Sequence, residues 1–185
     1  MTQTSKSNRE RYLAVVAIGP NQQTLALDMI RSISERGCVI LDCRMAPMGQ
    51  SLTVSLLISG NWSALGRLET ALPSLADKLG VRIQYESTEI RPSADTDYRP
   101  YAAEVIAPSK SDLLPQVLDF FHDQHIRINE LLAQEYRSTH TGAAMCNLSL
   151  VVHIPVSQHP QALRESFMDL CDELNADGIL DPIKS

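Results

Sequence analysis

The sequence predicts an α+β protein in which one βαββαβ module occurs twice in tandem. Two observations carry this. The order strand, helix, strand, strand, helix, strand runs through 12–89 and again through 101–185, about ninety residues later. That period is too long for a solenoid unit and suits two small domains. Within the copies, Leu68, Leu72, Leu75 and Leu79 match Leu163, Phe167, Leu170 and Leu174 at one constant offset.

In the first module, Tyr12–Ile18 (YLAVVAI) is apolar on both faces, as a covered central strand would be. Leu25, Ala26, Met29, Ile30 and Ile33 form the apolar stripe of a helix over about 24–36, stopped by Gly37. The next strand, 38–45, is expected to set Val39, Leu41, Cys43 and Met45 against Asp42 and Arg44. After a turn at 47–50, Leu52, Val54, Leu56 and Ile58 point inward, with Thr53, Ser55 and Ser59 outward. Asn61 is placed to cap a helix starting at Trp62, and Pro73 is expected to kink or restart it. Trp62 itself reads as a core or interface anchor. Val81, Ile83 and Tyr85 close the module as an edge strand.

The segments 1–11 (MTQTSKSNRER) and 90–100 (IRPSADTDYRP) read as a disordered tail and a linker. In the second module Asp112 is the expected N-cap, leaving Pro115 in the first turn. Leu114, Val117, Leu118 and Phe121 share one helical face. Ala144, Cys146, Leu148, Leu150 and Val152 share one strand face.

This order gives a ferredoxin-like split βαβ sandwich: a four-stranded antiparallel sheet with both helices on one side and the first and third strands central. Leu13, Val15 and Ala17 are assigned to the face away from the helices, a surface needing cover from the other module or a partner subunit. A homo-oligomer is one way to supply it.

Composition excludes several functions. A net charge of −6 and a pI near 5.3 oppose phosphate capture, and neither sheet carries an aromatic pair for stacking bases. No apolar run reaches the roughly 20 residues of a membrane span, and residues 1–11 lack a signal-peptide core. A cytoplasmic location follows as the expectation. The four cysteines form no CxxC pair. His122 and His125 sit at a helix end where histidine suits the dipole, so no metal site is expected. No Ser-His-Asp order, catalytic carboxylate pair or P-loop is visible. No catalytic residue and no cofactor are assigned.

Gly19, Arg36–Ile40 (RGCVI), Asp42–Arg44, Gly49, Ser59–Trp62 (SGNW) and Leu68-Glu69, with Asn129-Glu130-Leu131 and Leu170–Asn175 (LCDELN), form a linear motif set. It resembles that of the glycine cleavage system transcriptional repressor family, whose members are tandem ACT domains. The resemblance implies a non-enzymatic regulator without its own DNA-binding element, acting on a LysR-type transcriptional activator. It also directs attention to the loop between the first strand and first helix, where ACT domains commonly bind an amino acid such as glycine.

The chemistry there is helix N-terminal amides for a carboxylate, an acid for the ammonium, and a glycine for close approach. The usual pattern is Asp-x-Pro-Gly. Here the first loop offers Gly19, Asn21, Gln23 and Thr24, with Asp42 as a source of the missing charge from a neighbouring position. The second offers Ser109, Ser111 and Asp112. An altered amino-acid site and an ordinary capped loop both remain open. So does a second class of function, an amino-acid-binding module that regulates an enzyme.

Overall fold

A computed structural model describes residues 10–22, 24–90 and 97–183. Gln23, most of the expected tail and 91–96 of the expected linker lie outside the described residues. The chain divides into two compact units, Met1–Pro92 and Ser93–Ser185.

The first unit runs β1 (Arg11–Pro20), α1 (Leu25–Ser34), β2 (Val39–Met48), β3 (Ser51–Gly60), α2 (Trp62–Leu79) and β4 (Arg82–Thr88). Its sheet is antiparallel in the order β2-β3-β1-β4, so β1 and β3 are central. The second unit repeats this as β5 (Tyr98–Pro108), α3 (Leu113–Asp123), β6 (Arg127–Arg137), β7 (Ala144–Pro155), α4 (Pro160–Leu174) and β8 (Asp177–Pro182), ordered β6-β7-β5-β8. Strand β5 thus begins at Tyr98, inside the stretch expected to be linker.

Each helix pair covers one face of its sheet. In the first unit Leu13, Val15 and Ala17 of β1 are fully buried with Met29, Ile33, Leu68 and Leu72. This reverses the expected assignment: these three face the helices. The strand's other face presents Val16 and Ile18, 49% and 44% exposed. Apolar residues on both faces left the sequence no contrast by which to orient the strand. In the second unit Ala103, Val105, Val117, Phe121, Leu150 and Phe167 form the equivalent core.

Both β2 and β6 contain a bulge, between Ile40 and Asp42 and between Ile128 and Glu130. A bulge inserts one residue and shifts the alternation that follows. Val39 therefore lies opposite Ser59, while Cys43 and Met45 lie opposite the buried Leu56 and Val54, so the expected common face is split at Leu41. Ser59, expected outward, is buried.

Helix α2 starts as the sequence implies: the Asn61 side chain accepts a 2.8 Å hydrogen bond from the Ala64 amide. It ends on Gly80 in the left-handed region, φ 64°. It does not restart at Pro73 but runs unbroken through it, because Leu68, Leu72 and Leu75 hold both halves on one core stripe. Trp62 is not a core anchor; it is 73% exposed.

Candidate functional site

The β1–α1 connection and its counterpart β5–α3 lie at the same end of their sheets, and the two are built differently. In the first, the Asn21 amide donates to Gln50 O at 3.1 Å, tying the loop to the β2–β3 turn. Thr24 occupies the N-cap of α1 with helical backbone angles, and its side chain caps nothing. Asn21 and Thr24 are exposed. Gly19 faces inward rather than toward a ligand. A side chain there would overlap Val81 Cγ1, so the glycine serves internal packing.

Asp42 does not reach this loop. It pairs in register with Leu57 and so stands level with Ala14, whereas Gly19 is level with Leu52. Five residues along a strand are roughly 17 Å. Asp42 instead lies on the sheet's open face and accepts a bond from Arg44 at 3.3 Å, both side chains about half exposed. Such a surface pair stabilises by less than about 1 kcal/mol. Asn21 and Thr24 thus share the first loop, and Asp42 stands apart from them.

The second loop holds a carboxylate. The Ser109 hydroxyl donates to Glu135 Oε2 on β6, and the Ser109 amide donates to Ala144 O at 2.9 Å. Asp112 takes the N-cap position of α3 but does not cap the backbone; its Oδ2 accepts from Gln116 Nε2 at 2.9 Å. Ser111 is exposed. Glu135 pairs in register with Cys146, and burial together with the Glu135 charge pushes that thiol above its usual range. Glu135 was missed from sequence. Its signal was a charge in phase with Leu131 and Ala133 at the loop end of β6. In the first unit Pro47 holds the matching position, opposite Leu52.

Charge is also divided between the units. Residues 1–92 hold ten Lys/Arg and eight Asp/Glu, against six and fourteen in 93–185. Among the described residues no group of three or more His, Cys, Asp and Glu could hold a metal ion. No described helix is long and apolar enough to cross a membrane.

The family model of the ACT domain matches residues 11–86. The second unit repeats the first in topology, register and bulge, so the chain is an α+β protein with two ferredoxin-like modules in tandem, the first of which matches the ACT domain. It is similar over nearly its whole length to the glycine cleavage system transcriptional repressor of Escherichia coli (strain K12). That protein is 28% identical over 174 residues, 94% of this chain and 91% of its own. The protein of the same name from Shigella flexneri matches equally. A crystal structure assigned provisionally to a glycine cleavage system transcriptional repressor has a TM-score of 0.71 at 25% identity. That match covers 95% of this chain and 99% of that one. An unknown protein from Galdieria sulphuraria shares the fold, with a TM-score of 0.73 at 18% identity, covering 95% and 100% of the two chains. The resemblance read from the motifs thus extends through both modules.

Proposed function

We propose that this chain is a non-enzymatic, cytoplasmic regulator of transcription that represses glycine cleavage genes through contact with a LysR-type activator. One observation carries the reading: the likeness to the named repressors spans 94% of the chain, so it is to the two-module architecture and not to a lone ACT domain. The acidic second unit supports a protein partner over direct capture of nucleic acid.

Glycine or another amino acid is the proposed effector, and the second loop is its proposed seat. Glu135 and Asp112 supply carboxylates suited to an ammonium group, Ser109 supplies a hydroxyl, and Ser111 lies beside them. Asn21, Gln23 and Thr24 give the first loop no charge, so its proposed role is structural. Coupling requires that the amino acid bind the free and partner-bound states with different affinity. The second-loop carboxylates equally favour an alternative, an amino-acid-binding module that regulates an enzyme.

Two measurements test these statements separately. Co-purification with a LysR-type activator is expected, and absence of any such complex overturns the repressor assignment. Thermal melts with a panel of amino acids test the effector, since saturation at a hundred times Kd stabilises by about 2.7 kcal/mol. A melt that no amino acid moves removes the effector and leaves the partner reading standing.

A further inference from the structure

Trp62 is the chain's one tryptophan, and it stands 73% exposed at the first residue of α2. Large amphipathic rings left in water are the residues most enriched at the energetic centres of interfaces. One turn further on, Gly66 occupies a helix interior, where glycine is a poorer choice than alanine. Among the described residues nothing requires it, because a side-chain carbon built there meets no atom within 4 Å beyond its own stretch of helix. The space that Gly66 leaves is on the outside of the helix. Both residues line one open groove of about 980 Å³, with Glu35, Arg36, Arg67 and Glu69.

We propose that this groove is a two-fold self-association surface, in which Trp62 seats against Gly66 of the partner subunit. Residues 62 and 66 lie on one face of α2, roughly 6 Å apart along its axis. A two-fold axis passing between them sets two antiparallel α2 helices so that each ring meets the other's glycine at once. Such an interface demands a self-complementary patch. This one carries its projection and its recess on the same helix face, and both signs of charge in equal number around them. A charge-balanced patch fits a second copy of itself better than a strongly charged partner.

The wall is also set in advance. Arg36 Nη1 donates to Ser32 O at 2.6 Å and Ser32 Oγ at 2.7 Å. Arg67 Nη1 donates to Ser63 Oγ at 2.9 Å and its Nη2 to Arg36 O at 3.0 Å. Ordered side chains lose less freedom on association. The inference does not depend on the transcriptional reading.

The test uses the full chain in a concentration series, followed by sedimentation and by tryptophan emission, which reports on this groove alone. A dimer is expected to form with concentration while emission moves to shorter wavelength along the same curve. Trp62→Ala is expected to weaken the dimer at least ~30-fold. Gly66→Ala keeps or raises the melting temperature yet weakens the dimer, which separates loss of the surface from loss of the fold. A monomer at every concentration overturns the proposal. So does a dimer whose tryptophan emission stays that of an exposed ring, or one that Gly66→Ala leaves intact. Emission already shifted at a concentration where sedimentation shows a monomer overturns it too, since the ring would then be covered within one chain.

Discussion

Gly19 packs its bare backbone against the side chain of Val81: a Cβ added at Gly19 would overlap Val81 Cγ1 and stand 3.0 Å from Val81 Cβ. The second unit sets alanines at both equivalent positions. Ala107 takes the register position of Gly19, and Ala176 follows α4 as Val81 follows α2. A neighbouring exchange sets Gly178 against Cys171 in the second copy, where the first has Ile83 and Ala76, each packed against its core. A Cβ on Gly178 would overlap Cys171 Sγ and stand 3.2 Å from Phe167 Cε1.

Gly19→Ala is accordingly expected to destabilise the protein by about 1–3 kcal/mol through overpacking. Gly19→Ala with Val81→Ala, which recreates the second unit's pair, should recover most of that loss in urea denaturation. Losses that simply add in the double variant would show that the two residues share no space.

Asn61→Ala removes the side-chain acceptor of the Ala64 amide, a 2.8 Å bond at the start of α2. The expected cost is about 1 kcal/mol. Asn61→Gly should cost only a few tenths, because glycine tolerates the same extended backbone. Equal losses in the two variants would remove the cap as the cause.

The thiol of Cys171 is fully buried, and burial, helped by Asp172 and Asp177, raises its pKa from 9.0 to about 11. The folded state thus holds this proton more tightly than the unfolded state. The corresponding stability is intact below about pH 9 and is lost as pH rises toward and through about 11. Denaturation midpoints from pH 8 to 11 should fall less steeply for Cys171→Ser than for the parent chain. Alkylation should reach the exposed Cys43 first and Cys171 only with unfolding.

Arg164 of α4 holds the edge strand β8. Its Nε and Nη2 donate to Leu180 O at 3.0 and 2.8 Å, and Nη2 also bonds Asp181. Arg164→Ala should accelerate amide exchange through 177–182 while the amides of central β7 stay protected. Unchanged exchange in β8 would mean that strand pairing alone secures it.

The module order, the central strands and the helix cores were legible because each rests on a period that survives local detail. Leu52, Val54, Leu56 and Ile58 alternate cleanly, and all four are buried. Orientation of β1 was not legible, since Ala14, Val16 and Ile18 are as apolar as Leu13, Val15 and Ala17. A bulge carries no residue signature of its own, so the phase of β2 beyond Leu41 was hidden. For the candidate site, the loops were found, but Glu135 reaches Ser109 from a strand 26 residues away in sequence. Asp42 stands apart from the first loop for a related reason: its place on the second strand said nothing of its level on the sheet.

The paired bulges carry a history. They fall at Ile40/Asp42 and Ile128/Glu130, the same place in two modules that otherwise differ in loop length and in how they fill the layer at Gly19 and Ala107. An irregularity shared at one position is more simply inherited than invented twice. The kinked edge therefore belongs to the plan that the two modules have in common. The difference in bulk between Gly19–Val81 and Ala107–Ala176 is confined to the filling of each module's own layer.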